Sequence, residues 1–489
     1  MRDWLAYRRQ ITPSQPAIVV PDRDSSYSFA ELDTFVTRYA KRLNSVNIDP
    51  QDRVCILATD RKAIVEMVYA LKRLGIVMVP LNPNEQSTAL NTKIGTIQPD
   101  LIICDSETES KVDGLSYNGN VLTIDDQSSV YQSISSLSSQ SVTPYNWGMD
   151  DELLVMFTSG TTGSPKAVRL TYGNVFISTL ASAFRLGHRN GDRWLCCLSF
   201  YHMGGIVIPL RTILYGIPVV LQDSFDPDET LTHIKSTNTT GISLVPTMLH
   251  KLIESNQSDI LSSLRFILLG GAPASRELIE TCIDRDISVY PTYGMTETAS
   301  QIATATPSQL VDTPETVGKP LLMADITIVD SDGNPVQATQ NGEIVVQGPT
   351  VTPGYIGDQQ DMWCEYGLRT GDIGYQDESG NLFILNRKDD IINTGGEKVH
   401  PGEVKEVLES HRLIDQAAVI GIPDDEWGEI VGALIVPMTA SKITKEDVEI
   451  YCEENLAAYK KPRCIAFNAH LPRTESGTID RQAVKSLLQ

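Results

Sequence analysis

The chain contains no Cys-x-x-Cys pair. Its eight cysteines are scattered over 489 residues, so neither a disulfide framework nor a zinc site is indicated. No apolar run approaches the roughly 18 residues a membrane-spanning helix needs. Met1-Arg2-Asp3-Trp4 opens no apolar signal core. A cytoplasmic protein with reduced thiols is therefore expected. Positive charge is also scarce: Asp and Glu number 62 against 40 Lys and Arg, a net charge of -22. Such a field repels nucleic acid and anionic membranes, so neither a nucleic-acid partner nor membrane insertion is expected. It repels phosphate-bearing ligands too, so any anion site needs local positive groups. The acidity fits either adaptation to high salt, where surface charge is screened, or an ordinary acidic cytoplasmic protein. A homo-oligomer is neither required nor excluded.

What is present is enough chain for at least two domains around a large core. Ser28-Phe29-Ala30-Glu31 reads as a capping box opening a helix to about Val46. A strand Arg53 to Ala58, a helix Arg61 to Leu74 and strands Ile76 to Pro80 and Leu101 to Cys104 follow. The Ser-, Asp- and Gln-rich segment from about Asp105 to Tyr145 reads as a surface connection. Alternation resumes with a strand Leu153 to Phe157, a helix from about Asn174 to Leu186, a strand Trp194 to Leu198 and a helix Gly205 to Tyr215. Strands at Pro218 to Leu221, Gly241 to Val245, Phe266 to Leu269 and Val289 to Thr292 complete a layered α/β domain with parallel pairing. After Asp325 short strands and turns predict a β-rich subdomain to about residue 386. A smaller mobile α+β domain is expected over 387–489, beyond the charged run Asn386-Arg387-Lys388-Asp389-Asp390.

In parallel sheets ligands sit beyond the carboxyl ends of strands, and three motifs fall there. Thr158-Ser159-Gly160-Thr161-Thr162-Gly163-Ser164-Pro165-Lys166 combines turning glycines, five hydroxyls and a lysine. It forms a nest for an anion, most simply nucleotide phosphates. It is not a Walker loop, because Ser164-Pro165 intervene before the lysine. Gly270-Gly271-Ala272 and Tyr293-Gly294-Met295-Thr296-Glu297-Thr298 are the other two, the latter expected to open a helix. Thr296 can donate to phosphate, Glu297 can hold Mg²⁺, and Tyr293 can stack on a base. Taken alone, Glu297 is a first-turn acid favoured by a helix dipole. Arg369-Thr370-Gly371-Asp372 places a carboxylate after an expected tight turn, suited to ribose hydroxyls, although an isolated Gly-Asp is an ordinary turn. Gly395-Gly396-Glu397-Lys398 is a flexible run that suits a narrow channel or a hinge.

In this order and spacing the motifs resemble the acyl-adenylate-forming superfamily of acyl-CoA ligases, luciferases and peptide-synthetase adenylation domains, over nearly the whole chain. The resemblance implies a two-step ligase using ATP, Mg²⁺ and CoA. A carboxylate attacks the α-phosphate to give an acyl-adenylate and pyrophosphate; the small domain rotates; a thiol displaces AMP. It implies that Thr158, Ser159, Gly160, Thr161, Thr162, Gly163 and Lys166 clasp the pyrophosphate end. Gly271, Ala272, Tyr293, Gly294 and Met295 would line the adenine side, Thr296 the α-phosphate, Glu297 the metal, and Asp372 with Arg387 the ribose. Asp389 resembles the hinge position, Gly395 and Gly396 line the pantetheine path, and Lys398 joins His202, Thr296 and Glu297 as catalytic candidates.

A narrower resemblance, in Leu198-Ser199-Phe200-Tyr201-His202-Met203-Gly204-Gly205 through Arg211 and in Tyr293 to Gln301, is to the 2-succinylbenzoate–CoA ligase family of menaquinone biosynthesis. A substrate with two carboxylates needs an anchor for the one not activated. Arg211 suits that role because its fork matches a carboxylate; otherwise it is a surface or structural arginine. His202 would gate the acyl site or steady the carboxylate, and Ser300 would donate to substrate. One departure stands out. The superfamily's Pro-Arg-Thr-x-x-Gly-Lys appears as Pro472-Arg473-Thr474-Glu475-Ser476-Gly477-Thr478, without the lysine that reaches the α-phosphate and carboxylate. Alteration of the chain to stall adenylation, compensation by Arg481, and weak adenylation all remain open. So do a ligase for another aryl or fatty acid and a nucleotide-binding sensor without turnover. No carrier domain follows Gln489, which points away from peptide-synthetase use.

Overall fold

The computed structural model describes residues 3–46, 48–124, 142–158, 165–357, 362–394, 397–399, 401–424, 427–438, 443–474 and 478–489, apart from the side chains of Asp389 and Lys398. Two compact units emerge: residues 1–325 with 347–362, and residues 326–346 with 363–489.

The first unit is built on two sheets. One has nine strands in the order Lys319–Pro320, Ser300–Thr304, Val289–Met295, Phe266–Leu269, Gly241–Leu244, Trp194–Cys196, Val219–Leu221, Pro16–Val20 and Ser25–Ser28. The other has seven: Gly354–Tyr355, Lys166–Thr171, Glu152–Thr158, Val77–Pro80, Arg53–Leu57, Leu101–Cys104 and Asn120–Thr123. Their interiors pair in parallel, as the alternation of strands and helices requires. The helix Arg61–Leu74 is buried along its whole length, and its apolar side chains join one core with both sheets. Asp60 accepts from the Ala63 amide to start it, and Gly75 at φ 81° ends it. The Ser28/Glu31 capping box forms as expected.

Three local expectations change. Between the phosphate loop and the next helix lies a strand, Lys166–Thr171, antiparallel to Glu152–Thr158. The helix therefore starts at Tyr172, capped by Thr171. Thr296–Thr298 is a single 3₁₀ turn rather than a helix opening, and the chain returns as the antiparallel strand Ser300–Thr304. Gly294 permits this close return, since a Cβ there would sit 1.8 Å from the Ser300 carbonyl oxygen. Within the expected surface connection, Glu109–Asp113 is helical and Asn120–Thr123 is a parallel edge strand.

The second unit holds a sheet of Asp325–Val329, Gly342–Gln347, Gly367–Gln376, Trp363–Cys364 and Leu382–Arg387. Its other sheet contains Glu397–Val399, Ile392–Thr394, Gly428–Pro437, Ile414–Asp424 and Cys464–Phe467, with helices Pro401–Glu409, Lys445–Asn455 and Arg481–Leu488. The break expected at 386/387 falls inside this unit. The strand ending at Arg387 pairs with Gly367–Gln376, and Gly402, early in the next helix, lies where a Cβ would be 3.0 Å from the Leu385 carbonyl oxygen.

Candidate active site

In the first unit, Thr158 ends its strand directly opposite Lys166. The loop between them, with Ser159, Gly160, Thr161, Thr162 and Gly163, lies outside the described residues. Lys166 sets its ammonium 5.8 Å above the Tyr355 ring and 3.6 Å from the Met362 sulfur. Tyr355 in turn donates its hydroxyl to Glu297 Oε1 at 3.0 Å. One aromatic side chain thus bridges the end of the phosphate loop and the candidate metal ligand.

The segment carrying Tyr355 is held from several sides. Gly354 and Tyr355 pair with Arg169 and Val168. Asn174 donates to the Pro349 and Val351 carbonyls, both at 2.9 Å. The Thr352 amide donates to the Glu297 carbonyl at 2.7 Å. Glu297 is buried, fixed through its own main chain and through Tyr355. Sequence reasoning missed Tyr355. Its only local signal is a short Pro-Gly-Tyr run, and its place depends on pairing with a strand nearly two hundred residues earlier.

Gly270 and Gly271 follow the strand Phe266–Leu269, which is the parallel neighbour of Val289–Met295. They therefore share an edge with Tyr293, Gly294 and Met295. Gly271 has φ +81°, where a side chain would be strained, and Ala272 follows it. Thr296 accepts from the Ala299 amide through its carbonyl at 3.1 Å, closing the turn around Glu297. The buried Glu297 carboxylate is the kind of hard oxygen donor Mg²⁺ prefers.

The acid-site candidates surround one helix, Met203–Tyr215. His202 occupies its N-cap position, exposed, with its ring edge-on to Tyr201 at 4.8 Å. Arg211 is only 1% exposed. It is therefore no surface arginine. Among the described residues it has no carboxylate partner; Nη2 donates to the Ser178 hydroxyl at 3.2 Å, and buried Nε has no partner. Burial pulls its pKa below the usual arginine value, with Tyr215 opposing. Ser300 opens its strand at φ 93°, just after Ala299 at φ 51°, two consecutive left-handed non-glycine residues.

In the second unit Asp372 lies within the strand Gly367–Gln376 rather than after a turn. Gly371, at φ +74°, supplies a local kink instead. Asp372 is the register partner of Arg387, whose Nε lies 3.5 Å from Asp372 Oδ1. Arg387 Nη2 donates to the Thr370 carbonyl at 3.2 Å, and the Asp372 amide donates to the Thr370 hydroxyl at 3.1 Å. Gly395, Gly396 and the side chains of Lys398 and Asp389 lie outside the described residues. Thr478 pairs its hydroxyl with that of Thr474 at 2.7 Å, and Arg481 is ion-paired with Asp390.

The first unit thus carries a phosphate-loop strand pair and a buried acid at a sheet edge, and the second carries an Asp–Arg pair. The chain belongs to the AMP-binding enzyme family: that family matches residues 6–356, and its C-terminal domain matches residues 403–478. Over its full length it is 34% identical to the 2-succinylbenzoate–CoA ligase of Bacillus thuringiensis subsp. konkukian, covering 99% of that protein. The structure of the Bacillus subtilis o-succinylbenzoate CoA synthetase with its acyl-adenylate intermediate OSB-AMP is similar at TM-score 0.86 and 33% identity, covering 99% of this chain and 98% of that one. ATP-bound MatB from Rhodopseudomonas palustris is similar at TM-score 0.91 and 25% identity, over 99% and 98% of the two chains.

Proposed function

We propose that this chain is an AMP-forming 2-succinylbenzoate–CoA ligase of menaquinone biosynthesis. The carboxylate of the acid attacks the α-phosphorus of ATP, and pyrophosphate leaves. The thiolate of CoA then attacks the acyl carbon, and AMP leaves with the electrons of the carbon–oxygen bond. A free carboxylate could release only oxide or hydroxide to an attacking thiolate, whereas the acyl-adenylate releases AMP, a good leaving group, and each step depends on fixed groups meeting charge as it develops.

Lys166 and the loop from Thr158 to Gly163 hold the β- and γ-phosphates, and Thr296 the α-phosphate. Glu297, steadied by Tyr355, would hold Mg²⁺, which when bound neutralises phosphate charge. Gly271, Ala272 and Tyr293, with Gly294 and Met295 beside them, receive adenine, while Asp372 and Arg387 receive the ribose. His202 and Ser300 border the acid. Asp389 is the hinge position, Gly395 and Gly396 line the path of the thiol, and Lys398 follows them. The free state of all eight cysteines supports a reducing, cytoplasmic setting. Among the described residues no helix is long and apolar enough to cross a membrane.

The observation that supports the acid's identity is Arg211. A buried guanidinium without an anion is costly, and the second carboxylate of 2-succinylbenzoate supplies one. The test is AMP formation with ATP, CoA and 2-succinylbenzoate, benzoate or a fatty acid. AMP release with 2-succinylbenzoate alone is expected. Equal release with all three acids rejects the assignment, and bound nucleotide without AMP from any acid makes the chain a sensor.

A further inference from the structure

Among the described residues, one side chain hydrogen-bonds Arg211. Ser178 is fully buried in the helix Tyr172–Leu186. Its hydroxyl accepts from Arg211 Nη2 at 3.2 Å and donates to the Ala299 carbonyl at 2.7 Å. A hydroxyl has one proton. Giving it to Ala299 turns a lone pair toward Arg211, so the direction of one bond fixes that of the other.

Ala299 and Ser300 hold the left-handed backbone just after the Glu297 turn, a conformation that persists where surrounding contacts enforce it. Ser178 is one of those contacts. It therefore joins three elements: the helix it sits on, the helix of Arg211, and the turn leading to Ser300. Arg211 Nε is buried without a partner, and a guanidinium fork with donors to spare matches a carboxylate.

We infer that Ser178 is a specificity-determining positioning residue: it orients the Arg211 fork against the Ala299–Ser300 turn, so that the enzyme selects a dicarboxylic acid. This rests on the reading of Arg211 as the anchor. The adjacent Thr179 does not duplicate the role, because its hydroxyl is turned back on the Val175 carbonyl.

The test compares 2-succinylbenzoate with 4-oxo-4-phenylbutanoate, its analogue without the ring carboxylate, in wild type, Ser178→Ala, Ser178→Cys and Arg211→Ala. Cys fills nearly the same volume but is a poor donor and acceptor, so it serves if Ala loses ATP binding measured by calorimetry. Losing an oriented bond to a charged group predicts roughly a tenfold fall in kcat/KM for 2-succinylbenzoate, carried mainly by KM. The KM for ATP and turnover of the monocarboxylate stay near wild type. Equal losses with both acids, or no loss with either, in the variant that binds ATP overturn the inference. If Arg211→Ala leaves the preference for 2-succinylbenzoate intact, the anchor reading itself fails. If Arg211→Ala abolishes that preference and the Ser178 variants keep it, only the role of Ser178 fails.

Discussion

Tyr355 donates its hydroxyl to the buried carboxylate of Glu297 at 3.0 Å. The same ring lies 5.8 Å below the Lys166 ammonium. A hydrogen bond to a ligating carboxylate fixes which lone pairs remain for a metal. Tyr355→Phe keeps the ring and removes the donor. We predict that the Mg²⁺ needed for half-maximal pyrophosphate exchange rises about tenfold, while the maximum rate at saturating Mg²⁺ falls much less. A Mg²⁺ titration of wild type and variant reads this directly. An unchanged midpoint would sink the metal role given to Glu297 or the support given by Tyr355.

Asp372 and Arg387 face each other across a strand pair, and Arg387 is also tied to the Thr370 carbonyl. Asp372→Asn removes the charge and one acceptor but keeps the shape. The KM for ATP should rise about tenfold, in line with the loss of charged hydrogen bonds to a hydroxyl pair. Arg387→Lys should also weaken nucleotide binding, because an ammonium cannot span two partners in the geometry of a guanidinium. AMP binding by calorimetry checks both without requiring turnover.

Lys72 is buried, 3.9 Å over the Trp4 ring. Burial lowers its pKa from 10.5 to about 7, against the pull of Asp3 and with a further push from Arg73. Between those pH values the unfolded chain holds a proton that the folded chain lacks. Stability therefore rises with pH across that window, by up to about 1.4 kcal/mol per unit, and levels off below it, where both states are protonated. Urea unfolding at pH 7.5 and 9.5 should show wild type gaining up to roughly 2.7 kcal/mol more than Lys72→Met over those two units. Parallel pH responses in the two proteins would mean that Lys72 keeps its charge in the fold.

Much of this architecture was legible where local signals and burial agree. The helix Arg61–Leu74 has a cap at Asp60 and a glycine stop at Gly75, and it emerges at the expected residues. The strand Leu101–Cys104 is buried on both faces and reads as a continuous apolar run. The failures cluster at the site. The return at Ser300 depends on Gly294 tolerating a carbonyl where a Cβ would be, and period and propensity do not register such a contact. Asp372 reads as a turn because Gly371 precedes it, yet the pairing of its strand with Leu382–Arg387 keeps it extended. Arg211 shows the same limit. Its residue type suggested a carboxylate, but its burial without an anionic partner among the described residues comes only from the packing of two helices.

Thr478 occupies the place where the superfamily carries a lysine, and its surroundings bear on what can replace that charge. Its hydroxyl pairs with Thr474, the Thr474 amide donates to its carbonyl at 2.8 Å, and Arg473 bridges Ile479. Arg481, the nearest cation later in the chain, is ion-paired with Asp390 and starts a helix capped by Asp480. Moving it to a phosphate would break its ion pair with the largely buried Asp390 carboxylate. Compensation by Arg481 is therefore disfavoured on energetic grounds, and adenylation should run below its limit. Thr478→Lys removes the Thr474 hydroxyl pair, an exposed contact of small worth, and supplies a mobile charge for the α-phosphate. Acid-dependent pyrophosphate exchange should rise by about tenfold to a hundredfold. The thioester-forming step, started from preformed acyl-adenylate, should stay within about twofold, since that step does not build charge on the α-phosphate in the same way. If exchange is no faster, a charge other than the missing lysine already serves the first step; Arg481→Ala, which should be nearly silent in exchange, then becomes the variant that tells whether Arg481 leaves Asp390 during turnover.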